Sequence, residues 1–499
     1  MSYKIELSGL RRDAGVSLTQ QLIDRFVAAI EAGELEPGEK LPTTRALAEE
    51  AGINHLTAAR VYRRLAELGY VTASVGRGTF VRTLAPAADE RHGDDWQIYA
   101  LPDKPLTYGD QVLSDAFRLA GAPGMLSLAT GWPSPRVYPT EQIAAITAQV
   151  FDEVGGEAIS YLNAEGLLEL REEIARYGRE EGWASDPDEI LVTSGARQGV
   201  DLAARALIEP GDVAVIESPT FLGALLSLRN AGARVIAIPV DEHGMDVDAL
   251  ERVLARHEVK ACFLQTACQN PTGRDLSPER LERLAELAIA RNFFVIEDGV
   301  YSELRFEGPK VTPLRAAAPG HVVYVDSLSK TVGGGLRVGW MAARGPVVER
   351  LVTLKADTDF HTNTLAQHIG ARFLAGGEHR KHVERTLPFY RERRDALMEA
   401  LERHLAGEYR AHTPCGGHHV WVTLERPMDE RDLYAEAARH GVTFTPGGAV
   451  TAERHTQTSL RLSFSLLDPA ELDEGVRRLA RAIRQVRRTH RYAATVPLS

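Results

Sequence analysis

Six short β-rich runs recur between residues 190 and 325 of this chain: Ile190-Leu191-Val192-Thr193, Val213-Ala214-Val215-Ile216, Val235-Ile236-Ala237-Ile238, Ala261-Cys262-Phe263-Leu264, Phe294-Val295-Ile296 and Val322-Val323-Tyr324-Val325. Stretches with helical spacing separate them. That alternation, beginning near residue 124, predicts a mostly parallel sheet sandwiched by helices. Such sheets bind ligands at the C-terminal edges of their strands.

The chemistry-bearing residues lie at those edges. After the sixth run comes Ser327-Leu328-Ser329-Lys330, then the glycine-rich stretch Gly333-Gly334-Gly335-Leu336-Arg337-Val338-Gly339-Trp340. A lysine amine condenses readily with an aldehyde. Hydroxyls and an arginine beside it are phosphate ligands, so the stretch asks for a small phosphorylated aldehyde. Pyridoxal phosphate fits. Taken alone, the tetrapeptide reads equally well as a solvated loop lysine.

Other edges agree. Ser194-Gly195-Ala196-Arg197-Gln198 opens a helix after the first run, where exposed backbone N–H groups can hold a phosphate. Glu297-Asp298-Gly299-Val300-Tyr301 follows the fifth; Asp298 there can keep a pyridine nitrogen protonated, and Tyr301 can hydrogen-bond a phenolic oxygen. Asn270, in Gln269-Asn270-Pro271-Thr272-Gly273, can donate to that same oxygen. Phe221 ends another strand segment and can stack on a ring, although a lone aromatic is more commonly core.

The N-terminal eighty residues carry a different pattern. Leu18, Leu22, Ile23, Phe26, Val27 and Ile30 recur at helical spacing up to Gly33. Thr43-Thr44 can cap a short helix through Leu47, Gly52 breaks it, and Asn54 can cap a second helix with the apolar face Ala58, Val61, Tyr62, Leu65, Leu68. Two helices across a glycine turn make a helix-turn-helix candidate. Strands at 70–73 and 79–81 around Gly76-Arg77-Gly78 then make a wing. From Arg60 to Arg82 five arginines stand against the single acid Glu67, the local excess that phosphate neutralisation needs.

These pieces carry two resemblances. The runs at 41–48 (LPTTRALA), 52–65 (GINHLTAARVYRRL), 69–71 (GYV) and 76–81 (GRGTFV) resemble the GntR winged helix-turn-helix over residues 10–82. The resemblance implies double-stranded DNA as partner, with Arg45, Asn54, His55, Thr57, Arg60 and the wing residues Gly76, Arg77 and Gly78 at the contact. His55 stands where that family often has arginine; with fewer donors than the arginine fork, it implies weaker or different base readout.

Residues 125–490 resemble fold-type I pyridoxal-phosphate enzymes, the aminotransferase superfamily. That resemblance implies Lys330 as the Schiff-base lysine, Asp298 under the pyridine nitrogen, and Asn270 and Tyr301 on the phenolic oxygen. Lys330, Asp298 and Tyr301 are thereby the catalytic set. It also implies a phosphate cup from Ala196, Arg197, Ser327, Ser329 and Arg337, with Phe221 stacking. Arg461, in Leu460-Arg461-Leu462-Ser463-Phe464, matches the arginine that clamps a substrate or effector α-carboxylate, a task suited to the guanidinium fork. Tyr161 lies in a segment that in this superfamily often faces the partner's active site.

Together the two resemblances make the architecture of the MocR regulators. The expected fold is an N-terminal α+β winged helix-turn-helix (residues 1–83) and a flexible linker (84–123). A C-terminal effector-binding and dimerisation domain (124–499) follows, comprising an α/β three-layer fold-type I aminotransferase-like large domain and a smaller α+β domain. Such proteins are typically homodimers, often domain-swapped. Two functions stay open: a regulator sensing a small amine, an amino acid or pyridoxal phosphate itself through Lys330, or a working aminotransferase that carries a DNA reader.

The rest of the chain bounds these readings. The net charge of −11 argues against a protein wrapped wholly in nucleic acid. Cys262, Cys268 and Cys415 show no CxxC or Cys/His pairing, and His418-His419 read as strand residues, so no metal site is expected. With neither a signal-peptide core nor an apolar run of membrane length, the expected location is cytoplasmic.

Overall fold

The computed structural model describes residues 17–36, 38–74, 78–82, 107–183, 185–453 and 457–495. The chain divides into two compact units, residues 1–105 and 106–499. In the first, α1 (Leu18–Glu31), α2 (Thr44–Glu50) and α3 (His55–Glu67) precede an antiparallel hairpin of β1 (Val71–Ser74) and β2 (Gly78–Val81). Side-chain caps start all three helices: Ser17, Thr43 and Asn54 accept the N–H of Gln20, Ala46 and Thr57. The apolar faces of α1 and α3 then close one core around Leu22, Phe26, Leu47, Val61, Leu65 and Val71. Tyr62 meets Phe26 edge-on and donates to the Pro42 carbonyl at 2.8 Å, fixing α3 against the entry to α2. This is the winged helix-turn-helix that the residue pattern predicts. Gly76 and Arg77, at the wing tip, lie outside the described residues.

The second unit begins earlier than expected. A helix spans Tyr108–Ala120, within the stretch read as linker; residues 84–106 of that stretch lie outside the described residues. Its start is a complete capping box between Thr107 and Asp110. Its apolar residues Tyr108, Val112, Ala116 and Leu119 recur at helical spacing. What holds it is tertiary: Val112 is buried, and Leu113 packs on Leu222, Leu226 and Val450.

Strands follow as β3 (Leu126–Ser127), β4 (Ile190–Thr193), β5 (Val213–Ser218), β6 (Arg234–Asp241), β7 (Gly244–Met245), β8 (Val259–Leu264), β9 (Phe294–Asp298), β10 (Val322–Ser327) and β11 (Gly339–Ala342). Eight of them form one sheet in the order β4-β11-β10-β9-β8-β5-β6-β7. All six predicted runs are strands of it. The sheet is mixed, because β11 lies antiparallel between β4 and β10, and β7 pairs antiparallel with β6. Alternate residues serve two helical layers: Val215, Cys262, Val295 and Trp340 enter one core, while Ala214, Phe263, Ile296 and Met341 enter the other.

A smaller α+β part completes the unit. It holds β12 (Tyr409–Ala411), β13 (His419–Leu424), β14 (Val442–Thr443), β15 (Thr445–Pro446) and β16 (Ser459–Ser463). Four of these form an antiparallel sheet in the order β12-β13-β16-β15, covered by the helices Glu378–Leu405, Glu430–Arg439 and Pro469–Thr495. β3 joins this part by pairing with β14, so the segment after β3 runs from the small part toward the large sheet. Among the described residues no helix is long and apolar enough to cross a membrane.

Candidate functional site

The loops leaving β4, β5, β8, β9 and β10 converge with β13 and β16 of the small part. At their centre is Lys330, three residues past β10. Its Nζ donates to the Gly131 carbonyl at 2.9 Å and lies 5.7 Å from the centre of the Tyr301 ring. Burial, with the cations Arg461 and Arg337 nearby, pulls this amine down to about 8, while Asp298 opposes the shift. Lys330 is thus poised between ammonium and nucleophilic amine near neutral pH.

Asp298 ends β9, almost fully buried. Its carboxylate accepts from Gln265 Nε2 at 3.0 Å and from the Val300 N–H at 3.3 Å. Burial pushes it up to about 7. Gln265, just past β8, also accepts the Asn270 N–H at 2.8 Å, so one amide spans two site residues. Its own N–H goes to Glu217 at the end of β5, a carboxyl that burial pushes up to about 8.

Tyr301 is buried, with its hydroxyl 3.0 Å from His419 Nε2. Arg461, on β16, donates to Asn270 Oδ1 at 3.2 Å, to Thr445 Oγ1 at 2.9 Å and to the Ala129 carbonyl. Its Nε is buried with no hydrogen-bond partner among the described residues, and burial draws the guanidinium down to about 10. Phe221 caps the helix Leu222–Asn230 at the exit of β5.

A candidate anion cradle forms where β4 turns into the helix Ala196–Leu207. Gly195 caps that helix without any side-chain bond, so the first N–H groups, on Ala196 and Arg197, face outward from a dipole end. Gly195 has φ +96°, and a Cβ there would lie 2.6 Å from the Arg337 guanidinium. Arg337 reaches across the turn to the Ser194 carbonyl and lies 3.5 Å from Ser329 Oγ; Ser329 N–H donates to Ser327 Oγ at 3.3 Å. The Arg197 side chain turns away to Ser227, leaving its backbone N–H as the group on the cradle.

Ala196, Arg197, Phe221, Asn270, Asp298, Tyr301, Ser327, Ser329, Lys330, Arg337 and Arg461 all come from these converging segments. Tyr161 is not among them within one chain: it is exposed and meets His361 edge-on. Sequence reasoning missed Gly131, Gln265, His418, His419 and Ser463. Only the histidine pair left a signal, since on a strand one of two neighbours must face inward. Lys330, Arg337 and Arg461 around Asp298, a guanidinium nitrogen without a hydrogen-bond partner among the described residues and an outward helix N-terminus suit a ligand carrying phosphate and carboxylate groups.

In the first unit, Thr43, Thr44, Arg45, Ala48 and His55 line a concave patch between α2 and α3. Arg45, Asn54, His55 and Arg60 are exposed, and Thr57 is half-buried. The Asn54 side-chain oxygen is committed to the Thr57 N–H at 2.7 Å. Leu56, 76% exposed at the start of α3, went unnoticed in the sequence.

Comparison with known proteins separates the two units in the same way. Residues 133–479 match the family "Aminotransferase class I and II", and residues 18–81 match "Bacterial regulatory proteins, gntR family". The chain is 34% identical to the aromatic-amino-acid aminotransferase 1 of Thermococcus litoralis, covering 78% of this chain and 95% of that protein. The crystal structure of LysN, the α-aminoadipate aminotransferase of Thermus thermophilus complexed with N-(5'-phosphopyridoxyl)-L-leucine, superposes with a TM-score of 0.70. It is 33% identical and covers 77% of this chain and 98% of that one. The probable rhizopine catabolism regulatory protein MocR of Rhizobium meliloti is 26% identical over 95% of each chain. The chain belongs to the class I and II aminotransferase family, a pyridoxal-phosphate-dependent family, and carries a GntR-type winged helix in the arrangement of MocR-type regulators.

Proposed function

We propose that this protein is a transcription regulator in which pyridoxal phosphate is held on Lys330, a small amine or amino acid is sensed at that site, and the N-terminal unit binds an operator. The observation that carries this reading is the likeness to MocR along 95% of both chains, reader included. An enzyme has no need of the winged helix.

When bound, the cofactor supplies an aldehyde that exchanges one amine for another and a ring that withdraws electrons. The chain's own residues do the rest. Lys330, with its proton easily lost, presents the amine. Asp298 holds a proton at the pyridine nitrogen, while Asn270 and Tyr301 orient the phenolic oxygen. The N–H groups of Ala196 and Arg197, the hydroxyls of Ser327 and Ser329, and Arg337 bind the phosphate, and Phe221 covers the ring. Arg461 receives an effector carboxylate. Arg45, Asn54, His55, Thr57 and Arg60, with the wing residues Gly76, Arg77 and Gly78, contact DNA, and Leu56 is placed to meet a thymine methyl. A homodimer, its partner covering Tyr161, presents two such readers in the cytoplasm.

A second reading, an active aminotransferase with a DNA reader attached, is favoured by the 34% identity to an aminotransferase across the whole body. One paired titration separates the two. A ligand shifts a two-state protein only by binding its states unequally. For the regulator, adding the amine changes the cofactor absorption and the operator affinity in the same titration. Many turnovers with an amino acid and a 2-oxo acid, at roughly 1–1000 s⁻¹, with operator affinity unmoved, overturn that reading in favour of the enzyme.

A further inference from the structure

We propose that His419 is a positioning residue that directs the Tyr301 hydroxyl hydrogen, through a Ser463–His419–Tyr301 hydrogen-bond chain whose polarity reverses when the cofactor's phenolic oxygen faces Tyr301. This rests on the reading above, in which Tyr301 meets that oxygen.

The geometry is closed on every side. His419 opens β13 and stands directly opposite Ser463, the last residue of β16, in the antiparallel ladder. Its Nδ1 is 2.8 Å from Ser463 Oγ and its Nε2 is 3.0 Å from the Tyr301 hydroxyl. The ring is edge-on to Tyr301, 5.7 Å between centres, and buried. Gly131 seals it from above: a Cβ on Gly131 would fall 2.3 Å from His419 Cε1. Burial, and then the cations Arg461 and Lys330 around it, hold His419 well below the usual imidazole range. The ring therefore carries one hydrogen, and either nitrogen can hold it.

One hydrogen between two hydroxyls leaves two arrangements. In the first, Tyr301 donates to Nε2 and Nδ1–H donates to Ser463. In the second, Nε2–H donates to Tyr301, whose own hydrogen is then turned toward another acceptor, and Nδ1 accepts from the Ser463 hydroxyl. The two differ by a tautomer and a pair of hydroxyl rotations, with no net charge moved. A phenolic oxygen beside Tyr301 selects the second. A phenol that accepts a hydrogen bond is the stronger donor, so His419 reinforces the bond to the cofactor. Ser463 lies two residues beyond Arg461 on one face of β16, so the same strand carries the end of this chain and the carboxylate-binding cation. Asp298, Arg461 and Cys268 also face Tyr301, and none of them supplies this contact.

The test uses the full-length holoprotein, with His419→Phe, which keeps a flat ring, and Ser463→Ala. Three quantities are read: borohydride trapping of cofactor on Lys330, the pH midpoint of the bound-cofactor absorption, and the side-chain ¹⁵N shifts of His419 with and without cofactor. Trapping stays intact. The midpoint in His419→Phe rises by roughly 0.1–0.6 pH unit, the share of the Tyr301 bond to an anionic oxygen that cooperative reinforcement supplies, and moves the same way but less in Ser463→Ala. In the wild-type protein the hydrogen moves from Nδ1 to Nε2 on cofactor binding. Unchanged midpoints in both variants, or one tautomer throughout, overturn the proposal. If His419→Phe does not fold, the wild-type tautomer and Ser463→Ala still decide it. Failure to trap cofactor on Lys330 in the wild-type protein instead overturns the functional reading beneath it.

Discussion

Lys330 Nζ donates to the carbonyl oxygen of Gly131 at 2.9 Å, joining residues 199 positions apart. The first follows strand β10; the second lies on the segment that β3 ties to the small part. His418 Nδ1 reaches the same carbonyl at 3.3 Å, and His419 packs against the Gly131 α-carbon. The amine is thus held where the two parts of the body meet, at a residue with no room for a side chain.

Gly131→Ala should therefore be costly. The added methyl overlaps His419 unless backbone moves, and overpacking of this kind costs about 1–3 kcal/mol. Denaturant unfolding of the body reads the loss; a stability equal to wild type would show that the segment yields freely.

Cofactor capture should follow the titration of Lys330. The neutral amine is the nucleophile, and burial has brought its pKa down to about 8. Capture by cofactor-free protein should accelerate as pH rises toward 8 and level off above it. A rate still climbing at pH 10 would mean that the amine is not desolvated as the structure has it. Lys330→Ala should abolish borohydride trapping while leaving the N-terminal unit folded, which circular dichroism of both units can follow.

Arg461→Ala should retain cofactor but lose the response to any effector that bears an α-carboxylate. The same change leaves Asn270 Oδ1 without its Arg461 donor and the Ala129 carbonyl with only the Thr445 hydroxyl at 3.3 Å, so some loss of stability accompanies it. Unaltered effector titration in this variant would place the carboxylate elsewhere.

On the reader, Arg60→Ala and Arg45→Ala should each weaken operator binding. Where the contact is to phosphate, the slope of log K against log salt falls by about one. Salt dependence identical to wild type in both variants would move the DNA face off α2 and α3.

Asn54 allows folding and binding to be separated. Asn54→Ala removes the cap on Thr57 and should cost the first unit roughly 0.5–2 kcal/mol. Asn54→Asp keeps an oxygen for the cap and adds a charge that repels phosphate, so it should retain stability and lose affinity. Equal loss of stability in both variants would show that the cap contributes little.

The order of the β-rich runs was enough to name the strands, because each must bury both faces and so reads as a continuous apolar stretch. The caps at Thr43 and Asn54 were legible for a similar reason: a helix start needs a local acceptor, and the acceptor is a neighbour in the chain. Lys330, Asp298, Asn270 and Arg461 stood out because their chemistry is conspicuous beside strand ends.

The helix Tyr108–Ala120 was not read, although its Thr107–Asp110 capping box and helical spacing are local signals; the Leu222–Val450 patch it packs on lies more than a hundred residues away. Nor was β11, which enters the large sheet antiparallel between β10 and β4. Gln265, Gly131 and the Ser463–His419–Tyr301 chain belong with these. A glutamine, a glycine and a serine acquire a role only when folding sets them against groups distant in sequence. Local pattern determined which elements form, because propensity, capping and periodicity act between near neighbours. Their direction in the sheet, the closure of the small part over Lys330 and the proton arrangement around Tyr301 were decided by tertiary packing, where burial and hydrogen bonding join residues that the sequence keeps apart.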